Sequence, residues 1–324
     1  MSRFLLIGGA GLLGSHLGPA LQLAGHDVGI VDRFSGSMFL RTSKDFPVYK
    51  SDATDYNGMV PVFAKFNPDV VVLMVSHYYP RDQYYSSYEE GRMAVGAANT
   101  ICSLLSPKIK HVYLCSHSDV YDGTESGRGL SEDKRIYTPV SYRGATNLAA
   151  EYMFTTRCAE LDIPLTVLRI FDMVGPRLMF TPISCRLNFI VDAFLRGEQI
   201  GLVGSNKRRD FIHVGDVVSA IVGLHANEFS GVVNLGTGNG ITLKQVVKEL
   251  GKSMKIHYPP IEITDRPSYA AVADINKLTT AVSWWEPQTD VLEYLSELVE
   301  FRRKEAHYYR PENAAQVLRD QRNG

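Results

Sequence analysis

Four cysteines, Cys102, Cys115, Cys158 and Cys185, are all that the 324 residues contain, and no two stand at a paired spacing. That argues against a disulfide framework and against a cysteine-based zinc site. Net charge is missing as well: 34 Lys and Arg nearly cancel 35 Asp and Glu, for a formal charge of −1. No long-range field therefore draws nucleic acid or an anionic membrane to the chain. Long apolar runs are absent, since the longest, residues 70–75, is far short of the ~20 residues a helical membrane span needs. Near the amino end, residues 4–7 run straight into glycines with no small-residue cleavage site, which reads as a first strand and not a signal peptide. Internal repeats and low-complexity tracts are also lacking. With 45% hydrophobic and 21% charged residues, the expectation is a cytoplasmic globular protein of one large domain or two modest ones.

Short runs rich in Val, Ile and Leu recur at residues 3–7, 28–31, 70–75, 112–115 and 165–168. They are continuous where a half-exposed strand would alternate, as expected of strands buried on both faces of a parallel sheet. Amphipathic stretches at about 12–24, 56–66, 88–105 and 142–161 separate them, which predicts a doubly wound α/β sheet over residues 1–170. Pro19 falls inside the first of these helices and predicts a kink. Beyond residue 170 the texture is richer in Gly, Pro and polar residues. Segments 171–211 and 233–303 read as a smaller mixed α/β lobe, about 212–232 as a return to the first domain, and 304–324 as a helical or frayed tail.

The first strand is followed at once by Gly8-Gly9-Ala10-Gly11-Leu12-Leu13-Gly14, which opens a helix. Gly8 suits a tight turn, Gly11 lets the backbone N–H groups of Leu12 and Leu13 approach a pyrophosphate, and Gly14 lets the helix pack close to the strand. Asp32 ends the second strand, where a carboxylate accepts hydrogen bonds from ribose hydroxyls and repels a 2′-phosphate. The expected cofactor is NAD, although Arg33, next in sequence, could blunt the preference over NADP.

At this point the sequence resembles the extended short-chain dehydrogenase/reductases, the NAD-dependent nucleotide-sugar epimerases and dehydratases. The likeness extends over about residues 1 to 303. It implies a Rossmann domain with a C-terminal substrate lobe. Asp52 and Ala53 in Ser51-Asp52-Ala53-Thr54-Asp55 resemble the adenine contact, and Met74-Val75-Ser76 stands where the family lines the cofactor. Val120-Tyr121, Leu168-Arg169-Ile170-Phe171-Asp172 with Gly175-Pro176-Arg177, Arg209-Asp210-Phe211-Ile212-His213-Val214, Asn234-Leu235-Gly236-Thr237-Gly238 and Arg266-Pro267 continue the landmarks in order. The resemblance also implies that Arg209 and Arg266 grip a nucleotide diphosphate, a task guanidinium forks suit. It implies a homodimer paired through the helices near 88–105 and 142–161.

The family's catalytic set is altered. Its Tyr-x-x-x-Lys is Tyr142-Arg143-Gly144-Ala145-Thr146 here, so the tyrosine is kept and the lysine is Thr146. The Ser/Thr position counts to His117, with Ser116 one place earlier. Asp119 stands where sugar dehydratases carry a glutamate, Met93 where a helix asparagine is usual, and Asp172 where an asparagine lies near the substrate phosphates. A charge at ~4 Å with an effective dielectric of ~20 contributes about 4 kcal/mol, so the missing lysine withdraws the main support of a tyrosinate. His117 titrates near neutrality and could compensate as acid or base, and His77 at the end of the fourth strand could face the same crevice. No carboxylate or cysteine accompanies the two histidines at ligand spacing, so no metal is expected.

Three readings remain open on these residues. One is an NAD-dependent enzyme transferring hydride at a carbinol carbon of a nucleotide-activated sugar or related hydroxyl substrate, with an epimerase, dehydratase or oxidoreductase outcome. Another is an NAD-binding scaffold without turnover. The last is a non-redox lyase or isomerase with His117 as base.

Overall fold

Unbroken Val/Ile/Leu strands are stable only where both faces are covered, and the computed structural model builds that arrangement. It describes residues 1–33, 46–75, 87–122, 129–134, 136, 138–176, 186–198, 200–203, 206–255, 261–264 and 269–305. In order come β1 (Arg3–Ile7), α1 (Leu12–Leu23), β2 (Asp27–Asp32), β3 (Val48–Lys50), α2 (Tyr56–Phe66) and β4 (Val70–Leu73). Next are α3 (Ser87–Gly91), α4 (Ala97–Leu104), β5 (His111–His117), α5 (Tyr142–Glu160), β6 (Leu165–Ile170), β7 (Asp172–Val174) and α6 (Arg186–Arg196). The chain continues through β8 (Ile200–Val203), β9 (Arg208–His213), α7 (Val214–Ala226), β10 (Gly231–Leu235), β11 (Gly240–Thr242), α8 (Leu243–Met254), β12 (Ile261–Thr264), α9 (Asn276–Ala281) and α10 (Val291–Glu305).

Seven strands pair in the order β10-β6-β5-β4-β1-β2-β3, every neighbouring pair parallel. Because side chains alternate along a strand, Phe4, Leu6, Ile30 and Val72 pack with Leu17 of α1 and Ile221 of α7 on one face. Leu5, Ile7, Val71 and Leu114 pack with Met59 of α2, Ile101 of α4 and Phe154 of α5 on the other. The smaller sheet has β9 between antiparallel β11 and parallel β7, and a separate parallel pair joins β12 to β8. A third core gathers Leu187, Val246, Leu250 and Leu298 from α6, α8 and α10. Fully buried Asp210 on β9 accepts the backbone N–H groups of Thr237, Gly238 and Ala273. One side chain thus holds two distant segments, 237–238 and the one at Ala273, beside Arg209.

Several local expectations change. The helix read at 88–105 is divided by a π-helical turn, Arg92–Gly96, which buries Met93. The strand read at 70–75 ends at Leu73. Helix α1 runs through Pro19 to Leu23, and α2 likewise contains Pro61. Helix α10 extends to Glu305, and the tail beyond it lies outside the described residues.

At the amino ends of the strands, away from the glycine loop, three histidines cluster. The rings of His26 and His225 lie 5.2 Å apart and both meet Phe4 edge-on, while His111 stacks on Tyr113 at 4.4 Å. The Thr166 hydroxyl donates to the Phe229 carbonyl, so His111 must donate its Nε2–H to Thr166 Oγ1 at 2.8 Å. Burial, with His225 nearby, pushes His111 down to about 4. Burial also lowers His26 and His225, helped by the N-terminal amine and, for His225, by His26, while Glu228 opposes. A base whose folded pKa is depressed gives its full stability above the unfolded value and loses it as pH falls towards the folded one. His111 alone should therefore remove about 2 kcal/mol by pH 5. Urea unfolding at pH 7.5 and pH 5 tests this with His111→Asn beside the wild type; equal losses in both proteins would refute it.

Candidate active site

The carboxyl ends of β1, β2, β4 and β5 bring Gly8, Asp32, Met74 and His117 to one edge of the sheet, the edge where open α/β sheets bind ligands. Gly8 turns the chain at φ +82, and its N–H donates to the Val31 carbonyl at 2.8 Å. A Cβ on Gly8 would stand 3.0 Å from the Met74 carbonyl oxygen, and one on Gly14 would stand 2.2 Å from that of Gly9. Those two glycines are demanded by the fold. Gly11 is different: a Cβ there meets only the Gly8 carbonyl oxygen, at 3.6 Å, which is ordinary contact.

Gly11 is also the N-cap of α1 and has no side-chain cap, so the first N–H groups of that helix, from Leu12 and Leu13, are left to an anion. The Leu12 and Leu13 side chains are buried in the core beneath. Asp32, 9% exposed, accepts the Ala10 N–H at 3.1 Å, which locks the loop to the end of β2. The residues fit a dinucleotide: a bare helix N-terminus, room over Gly11, and a carboxylate on the neighbouring strand.

Further along this edge, Asp52 accepts the N–H and hydroxyl of Thr54 at 2.9 and 2.8 Å. Arg92 stands 3.5 Å and Arg33 4.0 Å from the other oxygen. Burial opposes its charge, but the Thr54 bonds and the two arginines outweigh it and hold Asp52 below its ordinary value. Ala53 is buried in the core below. Arg33 and Arg92 both reach the Met93 sulfur, at 3.5 and 3.7 Å. Met74 and Val75, partly buried, leave β4 as the Met74 N–H donates to the Ile7 carbonyl. Ser76, His77, Arg177 and Arg266 lie outside the described residues.

Strand alternation separates Ser116 from His117. Ser116 faces α5, is buried, and donates to Glu151, which also binds Arg169. It belongs to the packing of α5 on the sheet and not to the crevice where spacing alone had placed it. His117, with its side chain 15% exposed, faces the other way, and its Nδ1 accepts the Asp119 N–H at 3.1 Å. Burial and then the Arg143 guanidinium push His117 below the usual imidazole value, against the pull of Asp119 and Asp172.

Asp119 is the hub. Its Oδ1 accepts the Tyr269 hydroxyl at 2.6 Å and its Oδ2 the Ser141 hydroxyl at 3.2 Å. Burial opposes its ionisation, but the charged form of His117, where present, and otherwise Arg143 and the Tyr269 hydroxyl hold it well below the carboxylate range. Ser141 is in turn the N-cap of α5, accepting the Gly144 N–H at 3.0 Å. A Cβ on Gly144 would stand 2.0 Å from the Asp119 carbonyl oxygen, so the glycine in this motif is what lets α5 begin against the end of β5.

Tyr142, the first residue of α5, is half exposed. Its hydroxyl passes over Gly91, where a Cβ would stand only 2.8 Å away. One turn on, Thr146 is buried, and its hydroxyl proton is committed to the Arg143 carbonyl at 3.1 Å. Thr146 thus brings no charge, whereas the field of Arg143 reaches His117, Asp119 and Glu90. Glu90 on α3 is buried and raised, with burial the main cause and Arg143 opposing. Sequence spacing missed Arg143, Glu90 and Tyr269. Arg143 sat in plain view beside Tyr142, whereas no local pattern marks the other two.

Asp172 on β7 and Arg209 on β9 form a two-pronged pair, Nε to Oδ2 at 2.7 Å and Nη2 to Oδ1 at 3.1 Å. Arg209 is 3% exposed and lies 4.8 Å from the centre of the Tyr269 ring, and its Nη1 has no hydrogen-bond partner among the described residues. A hydrogen-bonded chain thus runs from His117 through Asp119 to Tyr269, whose ring then meets the Arg209–Asp172 pair. No helix among the described residues is long and apolar enough to cross a membrane, and no three of their His, Cys, Asp or Glu side chains group to hold a metal ion.

Comparison with known proteins agrees with this geometry. UDP-glucuronic acid decarboxylase 1 of Xenopus tropicalis is 27% identical over 315 residues, covering 94% of this chain and 73% of the relative. The solved structure of MoeE5 in complex with UDP-glucose and NAD is 26% identical, with a TM-score of 0.79 over 94% of this chain and 99% of that one. UDP-glucose 4-epimerase from Thermotoga maritima, solved with UDP-glucose, has a TM-score of 0.83 over 94% of this chain and 99% of that one. Its identity of 24% makes it a likeness of fold. A family model matches residues 4–236, from the first strand of the sheet to the glycine after its last, and on that match the chain belongs to the NAD dependent epimerase/dehydratase family.

Proposed function

We propose that this chain holds NAD along the glycine loop and acts on a nucleotide-activated sugar by hydride transfer at a carbinol carbon, with an epimerase, dehydratase, decarboxylase or oxidoreductase outcome. The observation that carries the reading is the space over Gly11 at the uncapped start of α1, with Asp32 beside it and His117 on the same sheet edge. When bound, NAD supplies the hydride acceptor. Leu12 and Leu13 would offer backbone N–H groups to its pyrophosphate, Asp32 would face its ribose, and Asp52 would stand near its adenine. Tyr142, as its phenolate, takes the proton of the reacting hydroxyl, and His117 is the second proton-bearing group. Relatives whose names specify UDP-sugar decarboxylation and epimerisation support the substrate class.

NAD-loaded protein mixed with UDP-glucose and UDP-glucuronic acid should give reduced nicotinamide or a changed sugar, and His117→Ala and Tyr142→Phe should each remove most of that turnover. Unchanged turnover in both variants would sink the assignment of these two residues. Thr146, buried and uncharged, is the observation that favours a non-catalytic NAD-binding protein instead. That reading predicts bound NAD and no turnover with any sugar nucleotide.

A further inference from the structure

The backbone of Asp119 decides which nitrogen of His117 carries the proton. A backbone N–H is a donor and nothing else, and it meets His117 Nδ1 at 3.1 Å. Nδ1 must therefore offer its lone pair, and the proton of the neutral ring resides on Nε2. The Asp119 carboxylate does not reverse this assignment. Its Oδ1 is farther from Nδ1, at 3.4 Å, and already accepts the Tyr269 hydroxyl at 2.6 Å. In the arrangement that makes a histidine a general base, a carboxylate takes the Nδ1 proton and leaves Nε2 bare. Here the backbone imposes the opposite tautomer. Nε2 has no hydrogen-bond partner among the described residues, and the side chain keeps 15% of its surface open.

We infer that His117 works as a neutral hydrogen-bond donor, presenting a fixed Nε2–H to the oxygen of the reacting carbinol, and not as a base. The inference rests on the hydride-transfer reading above. With NAD bound as the hydride acceptor, the C–H bond would break in that step and its electron pair would leave with the hydride. The step needs Tyr142 as its phenolate, which takes the hydroxyl proton and becomes the neutral phenol while the C–O bond becomes C=O. His117 keeps its proton throughout and steadies the oxygen as charge develops on it.

The groups around the ring favour its neutral form. Arg143 from α5 disfavours a second positive charge, whereas Asp119 and, from β7, Asp172 favour one, and burial settles the balance towards the neutral ring. Glu90 on α3 acts at one remove, through Arg143 and Asp119. This tautomer would also explain how a chain with no Ser or Thr facing the crevice at this position still supplies a donor there.

The test has two arms. Nitrogen-15 NMR of histidine-labelled, NAD-loaded protein at neutral pH should show a protonated Nε2 and a bare Nδ1 for His117, assigned by the loss of the signal in His117→Gln. A protonated Nδ1, or an imidazolium, would overturn the inference whether or not any sugar nucleotide is turned over. In the second arm, His117→Gln, whose amide donates but cannot titrate, should keep turnover within about tenfold of wild type. His117→Ala should lose the ~10²–10³ typical of removing one such donor. Glutamine falling as far as alanine would overturn it too. Absence of all turnover would instead count against the hydride reading and leave the NMR arm to decide the tautomer alone.

Discussion

Replacing Asp172 with asparagine is expected to tighten the binding of UDP by at least about tenfold, or about 1.4 kcal/mol, while lowering the melting temperature of the unliganded protein. Both effects follow from one buried pair. Arg209 is 3% exposed and engages Asp172 through two of its nitrogens, so the chain's own carboxylate holds the fork that a phosphate would take. A diphosphate arriving beside it meets a neutralised arginine and a nearby negative charge. At an effective dielectric of ~20 and a separation of ~5 Å, each such repulsion is worth about 3 kcal/mol before relaxation. An amide keeps nearly the same shape but not the charge. The arginine, left buried and uncompensated, destabilises the free protein, by up to ~3–5 kcal/mol where a partner is lost outright. A bound phosphate would return part of that. Calorimetric titration of UDP into both proteins, with melting curves in its presence and absence, measures the exchange. Equal affinities would show that the substrate's phosphates are held elsewhere, with Arg266 the residue to substitute next.

How far the sequence could be read depended on whether the signal was local. The strands β1, β2, β4, β5 and β6 are marked by continuous apolar runs, whereas β3 is not, and the glycine loop by spacings that Gly8 and Gly14 obey because backbone atoms crowd them. The α5 motif was equally legible as a string, yet its meaning was not. Counting residues put His117 at the Ser/Thr position with Ser116 one place earlier, and only the strand alternation of β5 shows that they face opposite ways. Thr146 could be named as the missing lysine, but not that its hydroxyl folds back on Arg143 or that Arg143 carries the charge into the site. Tyr269 reaches Asp119 across 150 residues of chain, and Glu90 arrives from a helix broken by a π turn. Neither leaves a periodic trace, because each is placed by tertiary packing and not by its own neighbours. The Asp172–Arg209 pair was foreseeable as a conflict of charge near phosphates, but not as a closed pair. Which conflict resolves, and against which partner, is a fact about packing.

Glu151→Ala should destabilise the protein by about 3–5 kcal/mol, the largest loss expected from a single side chain near the site. Glu151 lies on α5 at 5% exposure and takes the Nε and Nη2 of Arg169 at 3.2 and 2.7 Å, together with the Ser116 hydroxyl. Arg169 is itself 6% exposed, lies over the Tyr121 ring at 4.9 Å, and has an Nη1 with no hydrogen-bond partner among the described residues, so Glu151 is the carboxylate that balances its charge there. Deleting the carboxylate strands that charge and the serine hydroxyl together. Replacing both ionic partners, as Glu151→Leu with Arg169→Met, removes the need for compensation and should cost clearly less than the sum of the two single changes. Denaturant melts of the four proteins of that cycle, with Glu151→Ala as a fifth, measure the loss and the coupling; a Glu151→Ala loss below about 1 kcal/mol, or strict additivity, would refute it. The same cycle bears on the chemistry. Ser116 is adjacent to His117, so a network that fixes one face of β5 also fixes the direction in which the imidazole leaves the other. If so, the double variant should keep the His117 tautomer even where Glu151→Ala blurs it, because an apolar pair of similar volume restores the strand's seat without restoring any charge.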